Sequence, residues 1–224
     1  MANSAIEKLD EIIRALDTAG ALRRLVLVGS WCLPVYRECR RNELIPVLRT
    51  TDLDFLIEKP KEKLPFIDVP ATLGSLGFEP LFDATSSLVK YERLDLEIEF
   101  LSSRIRGDQQ IVPVQHLNLN AQILSYMEIA QKYAQSVNYK GVSLKVPEME
   151  AFILHKVLVY PLRNDDRKKL KDRQTVSELS SIVVADGPSL KRLRQVFSEF
   201  PSKWQKAILS TVQKDLPELW QALR

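Results

Sequence analysis

Leu25-Val26-Leu27-Val28-Gly29-Ser30 is an apolar run ending on two small residues, and Thr51-Asp52-Leu53-Asp54-Phe55-Leu56-Ile57 sets two aspartates among aliphatic and aromatic side chains. Four apolar residues stopped by glycine read as a buried strand entering a tight turn. Side chains alternate along a strand, so Asp52 and Asp54 share one face while Leu53 and Phe55 share the other. Two carboxylates so placed can hold a hard cation, and magnesium keeps places for water and phosphate oxygens. A helix beginning at Ser30 would add unpaired N–H groups and a positive dipole end, an anion site that small residues leave approachable. Together the two segments point to chemistry on a phosphate.

Further along, Leu94-Asp95-Leu96-Glu97-Ile98-Glu99-Phe100-Leu101 alternates apolar and acidic residues. This reads as a strand with one buried face and three carboxylates on the other. Residues 88–91 precede it as a second strand, with Tyr91-Glu92-Arg93 as the hairpin turn. One of the acids would stand beside Asp52 and Asp54 if the strands are neighbours. Taken alone, the acidic strand is equally well a charged sheet face meeting solvent.

A hydrophobic strand ending in Gly-Ser, an acid-x-acid strand and a third acid on a later strand together resemble the nucleotidyltransferase superfamily that includes DNA polymerase beta. The resemblance places Gly29 and Ser30 at the phosphate turn, Asp52 and Asp54 as metal ligands, and Glu99 as the third acid. Glu99 is preferred because Glu99-Phe100-Leu101 looks like the end of this strand in a bacterial subgroup of nucleotidyltransferase-like proteins, with Glu97 in reserve. The similarity runs on through Val146-Pro147, His155-Lys156, Arg163, Lys168 and Lys171-Asp172. That segment also resembles abortive-infection nucleotidyltransferase toxins, in which a lysine and a later Lys-Asp pair belong to the active site. The resemblance implies an α/β (α+β) fold, a small mixed sheet flanked by helices with a helical C-terminal region. It also implies a Mg2+ or Mn2+ cofactor and an NTP substrate. Lys156 would then be catalytic, and Arg163, Lys168, Lys171 and Asp172 would bind nucleotide.

The residues themselves also allow plainer readings. Lys168 and Asp172 are four apart, the spacing of an ordinary helical ion pair. Lys156 lies beside Phe152, Ile153 and Val157, so its stem would cover apolar surface while its ammonium reaches outward. His155 reads as packing rather than as a base. Trp31 would narrow the phosphate turn if it faced it, and the segment from Ser30 to Asp52, with Arg40, Arg41 and Pro46, is long.

The chain has 224 residues, 45% hydrophobic and 27% charged, enough for a real core in one domain or two small ones. No apolar run reaches membrane-spanning length and no signal-peptide core is present, which leads to the expectation of a cytoplasmic protein. Cys32 and Cys39 are the only cysteines. On one helix they would lie two turns apart, too far to bridge, so both are expected as thiols. His116 and His155 are the only histidines and no Cys/His cluster has zinc spacing, which excludes a structural zinc of the usual kind.

Ser4-Ala5-Ile6-Glu7 has capping-box form, and Ile6, Leu9, Ile13 and Leu16 make a helical stripe before Gly20. Helices are expected at 30–39 and 69–76. A polar Pro/Lys loop covers 58–65. Gly107-Asp108-Gln109-Gln110 marks a boundary, giving a catalytic core at 1–110 and a mainly helical region at 111–224. Within the latter, 120–134 reads as helix and 136–146 as a hairpin. From Glu148 the pattern is helical, broken at Arg163-Asn164, Asp186-Gly187-Pro188 and Pro201. Residues 145–224 carry 15 Lys/Arg against 10 Asp/Glu, leaving 17 and 19 for the rest. A basic half suits triphosphate or a nucleic-acid backbone, though a solvated helix surface explains the excess as well.

The expected reaction is metal-dependent transfer of NMP from an NTP to a hydroxyl acceptor, RNA, protein or a small molecule, with release of pyrophosphate. A non-catalytic nucleotide- or nucleic-acid-binding protein on the same fold, such as a toxin–antitoxin component or regulator, is the alternative. A glycosyltransferase would also use Asp-x-Asp, but it explains neither Gly29-Ser30 nor the acidic strand.

Overall fold

A computed structural model of the chain describes residues 2–46, 50–59, 65–82, 88–103 and 109–224, with side chains from residue 6 onward. It has two compact units, one of Met1–Arg40 with Val47–Pro147 and one of Arg41–Pro46 with Glu148–Arg224. The units thus divide after Pro147 and not at 110, because four strands beyond 110 join the first unit's sheet. Gly107 and Asp108 lie outside the described residues, as does most of the Pro/Lys loop.

The first unit runs α1 (Ala2–Thr18), β1 (Leu25–Val28), α2 (Cys32–Arg40), β2 (Asp52–Ile57), α3 (Val69–Ser75), β3 (Glu79–Phe82), β4 (Val89–Arg93) and β5 (Leu96–Ser103). It continues with β6 (Ile111–Val114), β7 (Leu119–Leu124), α4 (Met127–Lys132), β8 (Ala134–Tyr139) and β9 (Val142–Pro147). α1 begins at Ala2, so Ser4 lies inside the helix instead of capping it, and its side chain is outside the described residues. Leu9, Ile12, Ile13 and Leu16 are buried as the 3.6-residue period requires, and Gly20, at φ +76°, ends the run. α3 starts where the Asp68 side chain accepts from Ala71 N at 3.0 Å and stops before Gly77.

Among the described residues nine strands form one mixed sheet, ordered β3-β4-β5-β2-β1-β9-β8, with β6 on β7 and β7 on β5. β2 is antiparallel to β1 and parallel to β5, while β1 is parallel to β9. β5 carries β4 along Leu96–Ile98 and β7 along Leu101–Ser103 of the same edge. The turn between β4 and β5 is Leu94-Asp95, with Leu94 at φ +59°, so Tyr91, Glu92 and Arg93 are strand and not turn. The helix expected at 120–134 is instead β7 and the short α4. Leu119 and Ala121 alternate into the core beside β5, and Tyr126 at φ +67° separates strand from helix. The hairpin at 136–146 is present as β8 and β9, turning at Lys140-Gly141.

Register settles which residues share each face. Leu27, Phe55 and Phe100 align on one face, where the Phe55 and Phe100 rings stack with centroids 6.0 Å apart. Both rings are fully buried, and a phenylalanine so placed is worth about 3–5 kcal/mol over alanine. On the other face Val26 and Val28 align with Leu56 and Asp54, and these with Leu101 and Glu99. Met127 and Ala130 of α4 pack on Val26, Val28, Leu56 and Leu101, covering the apolar half of that face. The acidic half begins where this cover ends.

The second unit is helical: α5 (Met149–Val159), α6 (Asp166–Ala185), α7 (Gly187–Ser198), α8 (Ser202–Asp215) and α9 (Pro217–Leu223). α5 is apolar nearly all round and is wrapped by α6, α7 and α8, which is how such a helix hides its surface. Asp165 caps α6 through Arg167 N and Lys168 N, and Asp186 caps α7 through Ser189 N. Arg192 donates two hydrogen bonds to Glu148, at 2.6 and 2.8 Å.

Candidate active site

The acids line up in two rows across two neighbouring strands. Asp54 on β2 sits beside Glu99 on β5, and Asp52 beside Glu97. All four are half-buried between the buried Leu53, Phe55, Ile98 and Phe100 of the opposite face. Thr51 Oγ1 donates to Asp52 Oδ1 at 2.9 Å. At the end of β1, Gly29 has φ +71°, and a Cβ built there would overlap Asp54 Oδ2. Only glycine therefore lets the backbone turn this closely over the carboxylate. The turn itself is a 3-10 segment of Gly29, Ser30 and Trp31, and the α-helix begins at Cys32, two residues later than the sequence suggests. Ser30 is half-buried and Trp31 buried. Cys32 donates its thiol to Leu27 O at 3.3 Å, and Tyr36 donates its hydroxyl to Pro147 O at 2.7 Å, fastening α2 to β1 and β9. Both cysteines are thiols outside any disulfide.

The third carboxylate has a partner that sequence reading does not reveal. Lys90 on β4 places its Nζ 2.5 Å from Glu99 Oε1 and 3.2 Å from Glu97 Oε2. Burial would lower the Lys90 ammonium, but its ion pairs with Glu99 and Glu97 outweigh this and hold it above its ordinary value. Glu99 thus lies between an ammonium on one neighbouring strand and Asp54 on the other. Among the described residues no three His, Cys, Asp or Glu side chains are gathered closely enough to hold a metal ion. Asp52 and Asp54 share a face, and Glu99 is directed to Lys90. Placing the hairpin turn at Leu94-Asp95 would have exposed this pairing in the sequence, since a two-residue turn sets Lys90 opposite Glu99.

The other candidates belong to the second unit. Lys156 is buried instead of reaching outward, with Nζ 2.5 Å from Asp172 Oδ1. Arg163 Nε donates to Asp172 Oδ2 at 2.8 Å. Burial would raise the Asp172 carboxyl, but Lys156 and Arg163 prevail and hold it below the usual carboxylate range. Asp172 therefore joins two cations from outside its own helix. His155 is pushed down to about 3, chiefly by burial and then by Lys156, with Asp172 opposing and Arg163 adding. Its ring keeps part of its surface exposed, but Nε2 is buried without a hydrogen-bond partner. Lys168 is exposed and Lys171 half-buried on α6.

The chain belongs to the nucleotidyltransferase family, whose model, described as Nucleotidyltransferase, matches residues 7–198. Among solved structures it is similar to an antigenic nucleotidyltransferase-like protein from Paracoccidioides brasiliensis. The two are 20% identical over 96% of this chain and 92% of that one, with a TM-score of 0.51, a likeness of fold. A second is the antibiotic-resistance factor ANT(2'')-Ia, 13% identical over 88% of this chain and 93% of that one, with a TM-score of 0.48. No curated protein matches the chain in sequence. Among the described residues no helix is long and apolar enough to cross a membrane.

Proposed function

We propose that the protein transfers an NMP group from an NTP to a hydroxyl acceptor and releases pyrophosphate, with Asp52 and Asp54 binding a divalent ion. The observation that carries this reading is the fit of Gly29 over the Asp54 carboxylate, a cradle that a Cβ would fill, beside a second aspartate on the same face. An all-oxygen donor pair of this kind suits Mg2+ or Mn2+. Such an ion, when bound, would neutralise phosphate charge and make the acceptor hydroxyl easier to deprotonate.

The chain's own groups do the rest. Backbone N–H groups around Ser30 receive phosphate oxygens. Asp52 and Asp54 orient the triphosphate, Asp52 being steadied by Thr51. The acceptor oxygen bonds to the α-phosphorus, the bond from that phosphorus to the bridging oxygen breaks, and Glu99 takes the acceptor's proton. Within the second unit, Asp172 fixes Lys156 and Arg163 in place.

The test uses NTPs labelled at the α-phosphate, incubated with Mg2+ and a cell extract that is then resolved into RNA, protein and small molecules. Label in one fraction with the wild type, and none with the Asp52→Asn/Asp54→Asn variant, is the expected result and names the acceptor. No label in any fraction with all four NTPs, and with Mn2+ in place of Mg2+, overturns it in favour of a non-catalytic binding protein.

A further inference from the structure

We propose that Lys90 is a resident cation of the candidate active site, so that one divalent ion is held at Asp52 and Asp54 while Glu99 is kept by the lysine. The inference rests on the nucleotidyl-transfer reading above and specifies how many ions that site takes.

Three observations carry it. First, Lys90 is placed by the sheet. Tyr91 pairs with Ile98 and Arg93 with Leu96, and the same register carried one residue on sets Lys90 toward Glu99. On its other side Lys90 pairs with Leu81 of β3, so its side chain springs from a paired strand and not from a loop.

Second, the ammonium bridges two carboxylates. Its Nζ is 2.5 Å from Glu99 Oε1 and 3.2 Å from Glu97 Oε2, which is how a metal shared by these acids would be engaged. Glu99 is only 16% exposed at its side chain, so little water competes for the pair.

Third, Asp52, Asp54 and Glu99 do not close around a common point among the described residues, although Asp54 and Glu99 are register partners. The row of Lys90, Glu99 and Asp54 runs positive, negative, negative, and a single divalent ion on the Asp54 side balances its second carboxylate. A second divalent ion at Glu99 would have to displace Lys90 or sit against its positive charge. Lys90 is therefore a positioning residue, holding Glu99 where the acceptor's proton is to be received.

The test counts Mn2+ bound per chain by electron paramagnetic resonance, in the presence of an α,β-methylene NTP analogue that cannot react. Wild type and Lys90→Arg are expected to bind one ion, and Lys90→Met, which frees Glu99 and Glu97, two. Lys90→Met/Glu99→Gln removes the two opposite charges together and is expected to bind one ion with an affinity within a few-fold of wild type, because Glu99 is not a ligand in the wild type. Two ions in the wild type, one ion in a folded Lys90→Met, or a loss of about tenfold or more in the double variant would each overturn the role of Lys90. If Lys90→Met does not fold, the double variant decides alone. No Mn2+ bound by the wild type, with or without the analogue, would overturn the metal-dependent transfer reading as well, and so tells the two failures apart.

Discussion

Asp54 occupies, with its Oδ2, the space in which any side chain at position 29 would begin. Gly29 and Asp54 are thus fitted to each other across β1 and β2, and Val28, the residue before the turn, is the register partner of Asp54. Gly29→Ala must both adopt a left-handed backbone, at about 1–2 kcal/mol, and push the carboxylate aside. The expected outcome is a fall in melting temperature together with loss of nucleotidyl transfer. Retention of full activity by Gly29→Ala would show that Asp54 need not stand where it does.

Asp52→Asn keeps the shape of the side chain and its hydrogen bond from Thr51 while removing the charge. Transfer should drop by a factor of about 10³ or more, given what removal of a charge-stabilising group costs elsewhere. The thermal unfolding midpoint should stay near that of wild type, since the residue is half-buried and no core packing is lost. Calorimetry and the labelled-NTP assay check both halves.

Asp172 is the shared counter-charge of Lys156 and Arg163, and Lys156 is buried. Asp172→Asn strands that ammonium without its partner, so urea unfolding should show a loss of about 3–5 kcal/mol. Lys156→Met should cost less, because Asp172 keeps Arg163. The reverse order would contradict the arrangement described for α5 and α6.

His155 gives the second unit a sensitivity to acid. Its folded value is pushed down to about 3, against an ordinary value of 6.5. Between these values the unfolded chain binds the extra proton and the folded chain does not, so stability is intact above about pH 6.5 and falls as pH drops. The slope approaches ~1.4 kcal/mol per pH unit. Denaturant unfolding at steps from pH 7 to pH 4.5 should show this slope in wild type and a flatter one in His155→Gln. Asp172, held low, adds its own loss only in stronger acid.

What could be read in advance depended on how local the signal was. β1, β2 and the shared face of Asp52 and Asp54 follow from period-two alternation and one glycine, all within a few residues. The partner of Glu99 did not follow, because a turn placed at 91–93 instead of Leu94-Asp95 hides Lys90 behind the wrong register. β3 was silent, since all four of its residues are exposed on an edge and no buried alternation marks it. For 119–134 the spacing of Ile123, Met127 and Ala130 imitates a helix. Pairing of Leu101–Ser103 with Gln122–Leu124 overrides that local pattern. The meeting of Asp172 with Lys156 and Arg163 spans separate helical segments, which no periodicity encodes.

β1 is the strand that waits longest for its neighbours. It needs Asp52–Ile57 on one side and Val142–Pro147 on the other, and its pairing to β9 joins Val26 to Lys145. Contacts so distant along the chain form slowly, since a long loop must close first. During synthesis Leu25, Val26, Leu27 and Val28 therefore present a naked apolar edge until the last strand of the unit has left the ribosome. A ribosome stalled before residue 142 would leave that apolar edge exposed, so the geometry that sets the Gly29 turn beside Asp54 also leaves the nascent chain open to association until β9 has emerged.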